Sequence, residues 1–91
     1  MPKLFEYLGI IIFFYSNEHD PVHVHGRYSE FESKIEIIVK EGIVSSVKLQ
    51  KVAGKKPLPA VQAKHFKKLA TVFADDIVQS WVNYEISPAA Y

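Results

Sequence analysis

The chain has 91 residues, 11 Lys and Arg against 10 Asp and Glu, and no cysteine. That length suits one domain, and zero cysteines exclude a disulfide scaffold, a thiolate zinc site and a Cys nucleophile. The longest purely apolar run, Ile10 to Tyr15, falls far short of the roughly 20 residues that cross a bilayer, and no leader pattern opens the chain, so a cytoplasmic protein with no membrane partner is expected.

The spacing predicts a first strand over Lys3–Tyr7. Leu8-Gly9 turns the chain into a second, Ile10–Ser16, whose β-branched and aromatic residues occupy both faces. Such a strand is either central and covered twice, or offers one face to a protein partner. Ser16 to Pro21 is turn-rich, and Pro21 holds the preceding residue out of helical geometry. Val22–Tyr28 reads as the third strand. Phe31–Lys40 and Ile43–Val52 read as a hairpin. In its first arm Phe31, Ser33, Ile35, Ile37 and Val39 share one face, with Glu32, Lys34 and Glu36 opposite. In the second, Ile43, Val47 and Leu49 align on one side while Lys48 and Gln50 point away. The tip Lys40-Glu41-Gly42 supplies the Gly of a tight turn.

Residues 53–59 are the one linker-like stretch. From Pro59, which suits a first helical position, the spacing turns helical: Val61, Phe66, Leu69, Phe73, Ile77, Trp81 and Tyr84 form one apolar stripe. Thr71 or Asp75 would cap a second segment, and Asp75-Asp76 suit its amino-terminal dipole, so one long helix and two in tandem both fit. Strands followed by helix predict an α+β fold. The expectation is one domain, 1–91: an antiparallel sheet of about five strands (1–53), then one or two helices (57–86) packed on it.

Charge is unevenly placed. Residues 1–40 carry four basic and six acidic groups, net −2; residues 41–68 carry seven lysines against Glu41, net +6; residues 69–91 carry three acids and no base, net −3. Lys48, Lys64, Lys67 and Lys68 are therefore candidates for contact with a nucleic-acid backbone or an acidic partner. The segment has no Arg, the residue that bidentate recognition favours, so a solvated helix face is the plainer account.

Chemistry concentrates between Phe13 and Arg27. Three of the four histidines fall within seven residues there, beside Glu18, Asp20 and the only arginine. Alternation on a strand puts His23, His25 and Arg27 on one face, with Val24 and Tyr28 on the other. His-x-His on a strand is a workable metal pair, with Glu18, His19 or Asp20 as a third ligand. The same residues suit metal-free work on a phosphodiester, one imidazole as base, the other as acid, and Arg27 steadying charge. The plain alternative is two exposed histidines on a polar sheet face, paired with nearby carboxylates. His65, among lysines, reads as a surface residue. The four glycines are scattered singly, so no nucleotide loop and no cofactor are expected.

Asn17-Glu18-His19-Asp20-Pro21-Val22-His23-Val24-His25, led in by Phe13-Phe14-Tyr15-Ser16, resembles the hallmark of a small bacterial family known as domain of unknown function 4160. The likeness extends to the opening Met1-Pro2, the hairpin, and a terminal helix carrying Trp81 and Tyr84. The family's usual second Pro before the first His is Val22 here, which loosens the turn but keeps both histidines. His23 and His25 match the motif histidines, and Arg27 falls where a basic residue is common. The family brings no established reaction or catalytic residues. The resemblance implies a gene beside that of a second small protein, and a part in a toxin–antitoxin-like pair. The expected function is thus binding of a small cognate protein or a second copy. The alternative is a metal-independent ribonuclease-like toxin using His23, His25 and Arg27 on RNA or DNA; a metal-binding fold is the third reading.

Overall fold

In the computed structural model, which describes residues 3–14 and 22–86, the strands are β1 (Lys3–Tyr7), β2 (Ile10–Phe13), β3 (His23–Tyr28), β4 (Phe31–Lys40) and β5 (Ile43–Lys51). They form one antiparallel sheet in chain order, β1-β2-β3-β4-β5. Two helices follow, α1 (Ala60–Val72) and α2 (Ala74–Ile86). This is the α+β architecture expected. Among the described residues no helix is long and apolar enough to cross a membrane.

Tight turns set the meander. Leu8 and Gly9 have φ of 50° and 81°, and Glu41 and Gly42 have φ of 54° and 79°. Paired positive φ values are what a two-residue hairpin turn needs to match strand twist, and Gly takes the second position without steric cost. Ser29 adopts φ 55° in the β3–β4 turn, where Tyr28 pairs with Phe31.

One face of the sheet carries Ile10, Ile12, Val24, Ile35 and Ile37, and packs with Phe14 and Leu58 against Phe66, Leu69, Ala70, Ala74, Ile77 and Trp81 of the helices. Burying each large side chain contributes roughly 1.5–3 kcal/mol. The linker is tied to the sheet: the Leu58 amide donates to Ser33 Oγ at 3.0 Å, and the Glu32 amide to the Lys56 carbonyl at 2.8 Å. Ser33 thus answers a backbone donor that would otherwise be buried unpaired.

The structure departs from the sequence reading in several places. β2 ends at Phe13, so the expected strand is shorter by Phe14, while its last two residues, Tyr15 and Ser16, lie outside the described residues. Ile43 is 71% exposed, while Val44 packs on the core. The cause is a bulge: Ile38 pairs with Ser46 but Val39 with Val44, so Ser45 is the extra residue and the faces exchange beyond it. Pro59 is the N-cap rather than the first helical residue. Val61 is exposed because five residues place it about 140° around the helix from Phe66. The helices divide at Phe73 (φ −104°, ψ 20°), which is half exposed, so Ala74 takes its place in the stripe. Thr71 caps nothing; its hydroxyl donates back to the Lys67 carbonyl at 2.8 Å. Asp75 and Asp76 do occupy the first turn of α2. The side chain of Tyr84 lies outside the described set.

Gly26 sets the spacing between sheet and helix. A Cβ built there would stand 2.9 Å from the Phe66 ring, closer than real contacts allow. Gly26→Ala is therefore expected to lower stability by about 1–3 kcal/mol through overpacking, read as a fall in the urea midpoint. An unchanged midpoint would show that α1 lifts from the sheet at no cost.

Candidate functional site

The second face of the sheet, turned away from the helices, collects the motif. Cross-strand pairing sets Phe13 beside His25, His25 beside Lys34, Ile11 beside Arg27, and Arg27 beside Glu32. With side chains alternating along each strand, His23, His25 and Arg27 leave β3 on the same side, as the spacing predicts. Phe13 joins them from β2 and Glu32 from β4.

These residues are packed, not displayed. Phe13 is 0% exposed, His25 1%, Glu32 1% and His23 8%. The sequence reading of a surface histidine face, and of two exposed histidines on polar sheet, is corrected on this point. The His25 ring stacks on Phe13, with centroids 5.4 Å apart and planes 19° from parallel. Its Nδ1 lies 3.1 Å from Glu32 Oε2. The His23 ring meets His25 edge-on at 5.3 Å and leans on Trp81 at 5.1 Å. Trp81 in turn meets Phe14 edge-to-face at 5.1 Å. On the other side the Arg27 guanidinium sits 5.3 Å above the Phe13 ring, within cation–π range. A continuous run of rings therefore joins Arg27 on the second face to Trp81 of α2, so the motif ties the sheet to the carboxyl-terminal helix.

Burial of a carboxylate is costly unless something answers it, and the His25 ring supplies a partner to Glu32. The same contact orients the imidazole: with Nδ1 facing the carboxylate, Nε2 is left as the other edge, the arrangement that a carboxylate–histidine pair uses to fix a tautomer. The pair is enclosed: the side chains of His25 and Glu32 are only 2% and 1% exposed.

The other candidates are scattered. Glu18, His19 and Asp20 lie outside the described residues. Among those described, no three His, Asp or Glu side chains are grouped to hold a metal ion, so His23 and His25 gain no third ligand there. Lys48 pairs with Glu36 on β4 and belongs to the second face, exposed. Lys64, Lys67 and Lys68 line a shallow cleft on α1, on the far side of the sheet from Lys48. The lysine-rich stretch therefore does not assemble into one groove.

Phe13, Glu32 and Gly26 are positions of the cluster and its support that the sequence reading missed. Glu32 was legible in principle, since a two-residue turn at Ser29-Glu30 puts it opposite Arg27 and diagonal to His25. Phe13 was read as part of an apolar strand, with nothing to mark it as the platform of a histidine.

The family model described as Domain of unknown function (DUF4160) matches residues 9–82. No curated protein and no solved structure matches the chain.

His25→Ala removes both the ring on Phe13 and a partner of a buried carboxylate. A loss of roughly 1–3 kcal/mol is expected from the carboxylate alone, with His23→Ala costing less. Equal urea midpoints for His25→Ala and the parent chain would contradict the bracing role.

Proposed function

Because the chain belongs to the domain of unknown function 4160 family, whose matched span runs from residue 9 to residue 82, we propose from its own residues that it acts by binding a partner protein. The setting we assign is a toxin–antitoxin-like pair in the bacterial cytoplasm, with a small cognate protein as the partner.

The burial of His25 carries this reading. A general base must come within about 2.6–3.2 Å of the proton it moves. An imidazole 1% exposed, with one nitrogen against Glu32, offers a substrate little approach. The motif histidines are thus spent on bracing β3, and what remains on offer is surface. Among the described residues Ile43 (71%), Val72 (65%) and Val61 (61%) are the most exposed of the large β-branched side chains, and the two on α1 support a binding role for that helix.

A ribonuclease-like toxin is the second reading, favoured by one observation: Glu32 orients the His25 ring while Arg27 stands on the same face. RNA or DNA would be its substrate. A metal-bound version requires ligands beyond His23 and His25.

The test is co-expression of the full chain with the product of the adjacent open reading frame, tagged on that product only. Co-elution at a fixed stoichiometry by light scattering is expected. Separate elution of the two proteins sinks the reading. RNA cleavage by the purified chain, lost in Arg27→Ala, would replace it with the ribonuclease.

A further inference from the structure

The outer side of α1 combines exposed valines with three lysines. Phe66, Leu69 and Ala70 face the sheet, so a turn of about 100° per residue carries Val61, Lys64, Lys68, Thr71 and Val72 to the opposite side. There the structure forms a cleft of about 330 Å³ lined by Lys64, Lys67, Lys68, Thr71 and Val72, with an almost wholly apolar floor. Lysine stems cover apolar surface while their ammonium groups stay in water, so the floor is methylene and valine and the rim is cationic. Among the described residues none of these three ammonium groups has a carboxylate in ion-pair range.

We infer that this cleft seats an acidic amphipathic helix of the partner protein, an apolar side chain entering the floor and carboxylates meeting the lysine rim. The inference rests on the partner-binding reading and adds the chemistry of what is bound. Charge complementarity selects the occupant. The segment 41–68 has a net charge of +6, and the three lysines of α1 present their share of it without internal neutralisation. A nucleic-acid strand would use the ammonium groups but leave the apolar floor empty. Strand binding also relies on Arg forks or aromatic platforms, and residues 61–72 include no Arg, Tyr or Trp, their one Phe being Phe66 in the core. An amphipathic helix uses both halves of the surface, the floor for its apolar stripe and the rim for register and encounter rate.

The probe is a fluorescein-labelled helical peptide with Leu at i, i+3, i+4 and i+7 and Glu elsewhere, titrated with the full chain and read by anisotropy. Three further probes replace Glu by Lys, replace Leu by Ser, or substitute a single-stranded RNA oligonucleotide. The Glu/Leu peptide is expected to bind, at least tenfold tighter than the Lys/Leu or Glu/Ser peptides and more weakly as salt rises. Lys64→Glu/Lys68→Glu, both at exposed positions, should weaken it at least tenfold at an unchanged urea midpoint. Tighter binding of RNA than of the Glu/Leu peptide overturns the inference in favour of a nucleic-acid site. Self-association of the chain abolished by the same double variant overturns it in favour of a second copy. A cognate complex that forms normally with Lys64→Glu/Lys68→Glu overturns it while leaving partner binding intact, whereas absence of any complex with the parent chain removes both.

Discussion

The contact between the Phe66 ring and the backbone of Gly26 sets the distance between helix and sheet, and most of the structure depends on that distance. Phe66 of α1 rests directly on Gly26 of β3, Val24 on the same side is fully buried in the core, and His23, His25 and Arg27, alternating with them, leave by the opposite face. There His25 has Phe13 below it and Glu32 beside it. β3 is therefore buried on both faces although helices cover only one. A bulkier residue at position 26 would disturb the apolar core directly and the histidine cluster through the shared strand.

A buried carboxylate and imidazole on the far side of a helix-covered sheet are costly to hold unless each answers the other. His25 Nδ1 meets Glu32 Oε2 at 3.1 Å, and the His25 ring is enclosed between Phe13 and His23. The run from Arg27 through Phe13, His25 and His23 to Trp81 gives the motif a mechanical meaning: it couples the second face of the sheet to α2, around the end of the core. A histidine motif can thus be a bracing device whose residue types resemble those of a catalytic site. The distinction lies in access, since the orientation of His25 by Glu32 would serve either role.

With the histidines turned inward, the outward chemistry of the domain is carried by helix α1 and the β4–β5 hairpin. The hairpin edge is blunted by the bulge at Ser45 and by Lys48 and Lys51, features that discourage strand addition. The α1 face has no such protection: its valines are exposed and its lysines unneutralised among the described residues. That asymmetry is what supports the proposed docking of a partner on the helix rather than on the hairpin.

Period-two alternation, the turn signals at Leu8-Gly9 and Glu41-Gly42, and helical spacing after Pro59 were enough to predict an antiparallel sheet of about five strands and a helical end, because each depends on residues close in sequence. The projection of His23, His25 and Arg27 to one side was equally local, a consequence of strand geometry. Burial was not. That Glu32 would be enclosed rather than solvated depended on β3 pairing with β4 in one register and on Phe13 arriving from β2. The exposure of Val61 and Ile43 depended on a helix phase and a bulge that composition does not encode. Whether the lysines form one groove or two separate surfaces was decided by the sheet standing between Lys48 and α1. Alternation told which way a side chain leaves its strand; only the packing of the other elements decided what it meets there.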